Sequence, residues 1–281
     1  MPGVVFCADD YGIAPGVCEA IRRLAEAGRI GATGCMTTNP FWPEEGARLA
    51  ELNAGVEIGL HLVLTDQRSL GPMPGLAPGG RFPRLGELVR QASSGRIDRA
   101  EVADEVDRQL EAFERAVGRP PDFVDGHHHV HQLPGVRRVV IERIRTRYSG
   151  KSLPWVRCCW ESPLRVLRRR VAPARALTIG LPGLTLRRLA RDAGLRVNRG
   201  FAGIYDFGRD RFDERLLTGM LSGAVDGTLV MCHPGFVDDD LAAADSLTAP
   251  REVEFALLIG DAFPEVLRRA GVRLARPADL F

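Results

Sequence analysis

Four of the six histidines of this 281-residue chain lie within five positions, in the segment Asp125-Gly126-His127-His128-His129-Val130-His131. Apolar Phe123 and Val124 precede the segment and Pro134-Gly135 follows it. This is the pattern of a buried strand that ends in a loop. Neutral imidazoles and carboxylates are ligands that zinc and similar divalent ions prefer. The segment therefore predicts a metal site, in preference to a solvated histidine-rich tract without a function.

Three further strand-like segments end in side chains that bind metals or transfer protons. These side chains belong to Asp9 with Asp10, to His61, and to His233. Each has an ordinary structural interpretation when taken alone, as an aspartate that caps a turn or a histidine held in the core. The carboxyl ends of parallel strands share one face of an α/β fold. We therefore expect the four strand ends to converge on one site.

Two adjacent carboxylates beside a cation can divide the chemical work. One of Asp9 and Asp10 would coordinate the ion while the other accepts a proton from the attacking water. His233 follows an apolar strand, and an imidazole that titrates near neutral pH can protonate a leaving amine. Asp125 is placed to orient a ligand imidazole, which is a common task of a carboxylate beside a metal site.

The histidine segment cannot supply all of its imidazoles to one ion if it stays extended. His127, His129 and His131 would then share one side, at a spacing of roughly 6.6 Å between successive members. That spacing is too long for one ion with short bonds to bind all three. We predict His127 as the ligand, with His129 and His131 beside the ligands or the substrate. We expect His128 to point away.

The composition predicts one globular α/β domain over residues 1–281. Hydrophobic residues make up 45% and charged residues 26% of the chain, which is sufficient for a sizeable core. We find no signal-peptide pattern and no apolar run of the roughly 20 residues that a membrane span needs. The six cysteines have no CxxC spacing, which predicts buried thiols in a reducing compartment. We therefore expect a cytoplasmic protein with no transmembrane segment.

Residues 134–200 carry a strong excess of positive charge. They contain 16 arginines and one lysine against three acidic residues, although the whole chain has a net charge of only +2. Such a region suits an anionic substrate, a lipid headgroup or a nucleic acid, but no interleaved aromatics accompany it, so we expect no nucleic-acid partner. We interpret residues 150–200 as an arginine-rich insertion that is solvated or faces the substrate or another subunit. This interpretation is compatible with a homodimer.

Strand-like and helical patterns alternate along the chain, which predicts a parallel sheet or a barrel. The clearest helix covers 98–118, with Asp98 as the predicted N-cap and Gly118 as the predicted stop. The Gly/Pro-rich stretch at 69–83 suits a loop on the substrate side. The other predicted strands cover 3–8, 32–37, 56–62, 122–126, 227–232 and 272–274, and the other predicted helices cover 16–28, 43–53, 135–148, 164–171, 184–193 and 251–270.

Five segments of the chain, in this order, resemble motifs of the YdjC-like, chitooligosaccharide deacetylase family. That family also includes deacetylases of glycosylated hopanoids. The segments are Ala8-Asp9-Asp10-Tyr11-Gly12, Gly59-Leu60-His61-Leu62-Val63-Leu64-Thr65, Met73-Pro74-Gly75-Leu76, Asp125-Gly126-His127-His128-His129-Val130-His131 and Met231-Cys232-His233-Pro234-Gly235. The family usually has Phe where this chain has Tyr11, and often Ser where it has Gly126.

The resemblance implies a distorted (β/α) barrel related to the NodB-type polysaccharide deacetylases. It also implies hydrolysis of the N-acetyl group of an acetylated amino sugar, either a chitooligosaccharide or a glycosylated lipid or small molecule. One divalent metal ion is implied, zinc or magnesium first, with manganese, cobalt and nickel as alternatives. The resemblance implies that Asp10, His61 and His127 are the metal ligands. It implies that Asp9 is the base and that His233 is the acid. Tyr11, next to Asp10, is a predicted contact to the ligands or the substrate.

Two other functions stay open at the level of the residues. A metal-dependent phosphoesterase or cyclic amidohydrolase would use the same donors, and a phosphate substrate would account for the basic region. A non-catalytic, sugar-binding barrel would keep the pocket, but it has no need of both a base at Asp9 and an acid at His233.

Overall fold

The computed structural model describes residues 1–52, 55–208 and 211–281. Within these residues the chain forms eight strands and eleven α-helices. The strands are β1 (Gly3–Tyr11), β2 (Ala32–Cys35), β3 (Glu57–Leu62), β4 (Phe123–Gly126), β5 (Trp155–Val156), β6 (Gly200–Ala202), β7 (Thr228–Cys232) and β8 (Arg273–Leu274). The helices are α1 (Pro15–Glu26), α2 (Trp42–Glu51), α3 (Leu85–Ser93), α4 (Arg99–Val117), α5 (Val136–Arg147), α6 (Pro163–Arg169), α7 (Pro173–Asp192), α8 (Glu214–Leu221), α9 (Asp239–Ala244), α10 (Ala249–Ile259) and α11 (Ala262–Ala270).

All strands run parallel, in the order β5-β4-β3-β2-β1-β7-β6, with β8 beside the start of β1. The central strand β1 is buried along its whole length. Strands of a parallel sheet are covered on both faces, which explains why their sequences are nearly continuous apolar runs. Parallel strands also need long crossovers, and the helices that lie between successive strands supply them.

One isolated backbone bridge and one side chain connect the two edges of the curled sheet. Val156 of β5 forms an isolated parallel bridge with Val197, shortly before β6. The buried Asn198 amide donates to the carbonyl oxygens of Cys158 and Gly200 and accepts from the backbone N–H of Cys158. The predicted distorted (β/α) barrel is thereby confirmed, and Asn198 holds its two edge strands together.

The predicted helix at 98–118 is confirmed, with both of its ends. Asp98 accepts hydrogen bonds from the backbone N–H groups of Ala100 and Glu101. Gly118 ends the helix with φ of 77°, in the left-handed region that glycine adopts without strain. The bounds of the helix are therefore set by a carboxylate at one end and a glycine at the other.

Two predictions about the elements were wrong. The predicted helix 251–270 is two helices, α10 and α11, that meet at Gly260. The predicted helix 184–193 begins earlier, at Pro173, and continues through Pro182. Within residues 150–200, which we interpret as an insertion, β5 pairs with β4 of the sheet and is followed by α6 and α7. Residue 53, the predicted end of the second helix, lies outside the described residues.

All six cysteines are buried and unbridged, as expected of small core residues. In the part of the chain that the structure describes, none of the helices is both long enough and apolar enough to cross a membrane.

Candidate active site

A pocket of about 450 Å³ opens at the carboxyl ends of the strands. The structure brings all four predicted strand ends to it, since its lining includes Asp9, Asp10, His61, His127 and His233. The remaining wall is largely apolar and includes Ile179, Ile204, Phe207, Met231 and Leu247. A cavity with an apolar wall and a few converging polar groups is typical of a small-molecule site.

A bulge in β1 directs both adjacent aspartates toward the pocket. Along β2, Ala8 pairs with Thr33 and Tyr11 pairs with Cys35, so two residues of β1 lie opposite one residue of β2. Asp10 has a left-handed backbone, with φ of 68°. Non-glycine residues rarely adopt this conformation, and bulges next to active sites commonly redirect a side chain. The extra residue is why Asp9 and Asp10 do not point to opposite faces.

Asp10, His61 and His127 form a compact group of metal-binding atoms. Asp10 Oδ1 lies 3.0 Å from His127 Nδ1 and 3.3 Å from His61 Nε2, and the three donor atoms lie within 4.8 Å of one another. All three residues are buried. Two imidazoles and one carboxylate are a donor set that zinc binds while it keeps a position open for water or substrate. The side chains present therefore fit a divalent ion.

The second oxygen of Asp10 is held by Arg251. Arg251 Nη2 donates to Asp10 Oδ2 at 2.7 Å, and it also lies 2.7 Å from Asp245 Oδ2. Burial raises the pKa of the Asp10 carboxyl, but the Arg251 charge and His127 outweigh burial and hold that pKa well below its ordinary value. Asp10 is therefore ionised, with one oxygen fixed and the other directed at the two imidazoles.

Asp125 fixes the orientation of His61. Its Oδ1 lies 2.7 Å from His61 Nδ1, on the opposite side of the ring from Asp10. Burial lowers the pKa of His61, but the charges of Asp125 and Asp9 outweigh burial and raise that pKa to about 10. Gly34 on the neighbouring strand β2 leaves room for the His61–Asp125 pair because it has no side chain. A Cβ at this position would lie 3.0 Å from His61 Nδ1 and 3.3 Å from Asp125 Oδ1.

Arg157 holds Asp9 through a two-pronged ion pair. Its Nη1 donates to Asp9 Oδ2 at 2.6 Å and its Nη2 donates to Asp9 Oδ1 at 2.5 Å. Burial raises the pKa of Asp9, but the Arg157 charge and hydrogen bonds outweigh burial and lower that pKa to about 2. Planar guanidinium groups suit such bidentate contacts with carboxylates. Asp9 is thus an ionised carboxylate with a fixed plane.

A second group of potential ligands, Cys7, Asp9 and Asp125, lies behind the first. Arg157 Nη2 lies within 3.0 Å of Cys7 Sγ, 2.5 Å of Asp9 Oδ1 and 2.6 Å of Asp125 Oδ2. The guanidinium therefore provides the positive charge for this group, and a metal ion there would have to displace it.

His233 follows β7 and is held through its backbone. Its N–H donates to Glu254 Oε2 at 2.6 Å, and the Tyr205 hydroxyl donates to the other oxygen of Glu254, also at 2.6 Å. Burial raises the pKa of the Glu254 carboxyl, although His233 and Tyr205 oppose this effect. The His233 ring packs edge-on against Phe207, and its Nδ1 has no hydrogen-bond partner among the described residues. His233 also lines the pocket, but this Nδ1 atom is itself buried.

The histidine segment does not stay extended. Strand β4 ends at Gly126, and residues His127–Gln132 form a tight 3₁₀ turn in which His128 and His129 are left-handed, with φ of 52° and 59°. The expectation that His128 points away was wrong, since both His128 and His129 line the pocket. His131 lies behind the pocket wall, with Nε2 2.9 Å from the Arg157 carbonyl oxygen.

Burial lowers the pKa of all three of these imidazoles. The value is about 3 for His128 and about 4 for His131, and it is well below the ordinary range for His129. They are neutral near pH 7. His128 Nδ1 lies 2.9 Å from the Thr65 hydroxyl and His129 Nδ1 lies 3.5 Å from Cys159 Sγ. Neutral rings of this kind offer hydrogen bonds rather than charge to a substrate.

Tyr11 lies outside the pocket lining. Its hydroxyl donates to the backbone carbonyl oxygen of Glu45 at 2.9 Å and accepts from Arg22 at 3.0 Å. It supports the packing between β1 and the helices beside it, so the predicted contact of Tyr11 with ligands or substrate has no basis in the geometry.

Arg157, Arg251 and Glu254 are the parts of the site that the sequence motifs missed. Arg157 follows a strand of two residues within the arginine-rich region, and nothing local distinguishes it from the solvated arginines around it. Arg251 and Glu254 lie on α10, which lacks a motif of its own. The signal that could have identified Arg251 and Glu254 is their position on the buried face of α10.

Comparisons with known proteins concern the chain as a whole. The chain matches the family described as YdjC-like protein over residues 3–269. It is 30% identical over 272 residues to proteins named chitooligosaccharide deacetylase from Yersinia pestis (strain Pestoides F) and Yersinia pseudotuberculosis serotype O:1b (strain IP 31758), covering 95% of this chain and 94% of each relative.

A solved structure from Enterococcus faecalis V583, provisionally named a cellobiose-phosphate cleavage protein, has the same fold. It has a TM-score of 0.78 at 21% identity, and the match covers 99% of this chain and 98% of that chain. This likeness concerns the fold alone, whereas the family match concerns the sequence over nearly its whole length. The chain therefore belongs to the YdjC-like family.

Proposed function

We propose that this protein is a metal-dependent hydrolase that removes the N-acetyl group from an acetylated amino sugar of the chitooligosaccharide type. The reaction named for its 30%-identical relatives supports the proposal, because the similarity extends over 95% of the chain. The observation that carries it is the single pocket in which Asp10, His61 and His127 adjoin Asp9 and His233.

Asp10, His61 and His127 would hold one divalent ion. When bound, such an ion polarises the acetyl carbonyl and makes a water molecule more acidic. Two imidazoles and a carboxylate favour zinc, and magnesium, manganese, cobalt and nickel are alternatives. Arg251 and Asp125 keep the donor atoms in place, since each binds the far side of a ligand. Groups in this position commonly affect metal affinity by about 10- to 100-fold.

Asp9 is the general base of the proposed reaction. It lies beside the ligand group and lines the pocket, and Arg157 keeps its carboxylate ionised and oriented. A fixed plane leaves the Asp9 oxygens little freedom to turn from the attacking water. The ion pair also lowers the intrinsic basicity of Asp9, so proton transfer depends on a water that has been made more acidic.

His233 is the general acid. It lies at the end of β7, beside Asp9 on β1, because β1 and β7 are neighbouring parallel strands. A proton from its imidazole lets the sugar nitrogen depart as a neutral amine, which is a far better leaving group than an amide anion. Glu254 holds the His233 backbone, and Phe207 packs against the ring. These contacts limit the movement of the donor.

The rest of the pocket suits a sugar ring that carries an acetamido group. Apolar side chains such as Ile179, Ile204 and Phe207 provide faces for C–H groups, while neutral His128 and His129 provide hydrogen bonds to hydroxyl groups. A volume of about 450 Å³ lies within the usual range for small-molecule sites.

Acetate release from N-acetylchitobiose tests the proposal. Chelator-treated protein, the same protein after zinc or magnesium is restored, and untreated protein should be compared, with p-nitrophenyl phosphate as a parallel substrate. We expect acetate and free amine in equal amounts, loss of both after chelation, and their return with metal. Hydrolysis of the phosphate ester without acetate release, or acetate release that chelation leaves unchanged, would contradict the proposal.

A further inference from the structure

Helices α6 and α7 form the most one-sidedly charged part of the chain. Residues 163–192 contain eight arginines and one acidic residue, Asp192. The arginines are Arg165, Arg168, Arg169, Arg170, Arg175, Arg187, Arg188 and Arg191. The proposed deacetylation uses none of them, so this charge needs another explanation.

The same two helices also expose large apolar side chains. The exposed fractions are 80% for Leu164, 56% for Leu167, 58% for Leu181 and 44% for Leu184. Within each helix the two leucines are three residues apart, which places them on one face. Isolated exposed leucines need no explanation, but four on two helices that pack together do.

Most of the exposed positive charge in this region is not neutralised by the protein. Arg168, Arg170, Arg175 and Arg191 form no ion pair among the residues that the structure describes. Arg188 lies 3.9 Å from Asp192, with both side chains largely exposed. By contrast, Arg169 is buried against Glu161 and belongs to the barrel. Arg168, Arg170 and Arg191 are therefore free to meet an outside partner.

Helix α7 connects this surface to the pocket. Arg175 and Ile179 of α7 line the pocket wall, and the Arg175 guanidinium lies 5.3 Å from the centre of the Phe207 ring. Helix α7 therefore contributes Arg175 and Ile179 to the pocket wall and exposes Leu181 and Leu184 on another face.

We propose that the exposed leucines and arginines of α6 and α7, here called the α6–α7 surface, dock the protein on an anionic lipid surface. Helices that combine exposed leucine with arginine bind at lipid interfaces, where the apolar groups enter the headgroup boundary and the cations meet anionic headgroups. The proposal concerns binding, so it does not depend on which substrate the pocket takes.

Charge favours a lipid surface over the other partners. A second copy of the chain, placed symmetrically, would bring two positively charged surfaces together. A nucleic acid would meet the arginines but would leave the leucines unburied, and these helices have no aromatic side chains for bases to stack on. An anionic lipid interface satisfies both the charge and the apolar groups.

Sedimentation of the purified full chain with vesicles tests the proposal. Vesicles of phosphatidylcholine alone are compared with vesicles that also contain phosphatidylglycerol, at low and high salt. We expect binding to the anionic vesicles, weakened by salt. Arg168→Gln with Arg188→Gln should reduce the partition constant about 30-fold, since each basic residue near such a surface contributes about fivefold. Leu164→Ser with Leu167→Ser should reduce it at least about tenfold.

Matched controls come from other faces of the molecule. Val89→Ser with Val253→Ser changes exposed apolar residues, and Arg90→Gln with Arg115→Gln changes exposed arginines; both pairs should bind as the parent does. Thermal unfolding and acetate release from a soluble substrate should be the same in all variants. Absence of vesicle binding, equal losses in the control variants, or a dimer that the leucine variants dissociate would overturn the lipid assignment. Tight binding of an oligonucleotide that the vesicles do not compete would overturn it too.

Discussion

Replacing Arg157 by methionine should destabilise the protein more than replacing any exposed arginine. Arg157 is fully buried and forms ion pairs with both Asp9 and Asp125. Methionine approximates the length of the side chain but removes the guanidinium that pairs with two buried carboxylates. Removing one partner of a buried ion pair commonly costs about 3–5 kcal/mol.

The pKa of Asp9 provides a second scale for this cost. Arg157 outweighs burial and lowers that pKa from 3.8 to about 2, which is on the order of 2 kcal/mol at about 1.36 kcal/mol per tenfold change in the acid constant. Because the pKa is lower in the folded state, this stabilisation is complete above a pH of about 4 and is lost as the pH falls toward about 2. Loss of the ion pair with Asp125 adds to this cost, so the pKa shift agrees with the cost expected for breaking a buried ion pair.

Urea and thermal unfolding at neutral pH measure the effect. A loss of about 3–5 kcal/mol should lower the melting temperature by roughly 6–20 °C in a chain of this size. Arg157→Lys should lose less, since it keeps a charge but not the two-pronged contact, and the exposed Arg90→Met is the control. Adding Asp9→Asn to Arg157→Met should recover part of the loss. A cost of under about 1 kcal/mol, as for an exposed pair, would refute the reasoning.

Three further predictions concern the pocket. His61→Ala and His127→Ala should each lose bound metal and activity while the circular dichroism spectrum stays unchanged. The control His131→Gln, in the same segment but behind the pocket wall, should retain the metal. Equal metal content in all three variants would refute the assignment of His61 and His127 as ligands. Asp9→Asn should keep the metal but lose about 10²- to 10⁴-fold in turnover, and a near-normal kcat would exclude Asp9 as the base. His233→Ala should lose most rate on amides with poor leaving groups, and a loss that is the same for activated anilides would count against an acid at this position.

The sequence predicted the strands that deliver the site, and the reason is local. Buried parallel strands have continuous apolar runs, and Asp9, His61 and His233 each follow such a run directly. The N-cap at Asp98 and the stop at Gly118 are similarly local signals. Each of these features is therefore determined by residues within a few positions of it in the sequence.

The features that we did not predict depend on contacts between distant segments of the chain. The bulge at Asp10 arises from the pairing of β1 with β2, and the short strand before Arg157 is defined only by its neighbours in the sheet. The left-handed turn at His128 replaces the extended backbone that alternation assumes. Arg251 binds Asp10 from 241 residues away. No local pattern marks such contacts.

Anomalous X-ray diffraction from crystals grown with zinc tests the central claim most directly, since it locates the ion independently of activity. The account predicts one strong peak within bonding distance of Asp10, His61 and His127, with Arg157 still paired to Asp9. A peak among Cys7, Asp9 and Asp125 with Arg157 displaced, or no peak in the pocket at saturating zinc, would contradict it.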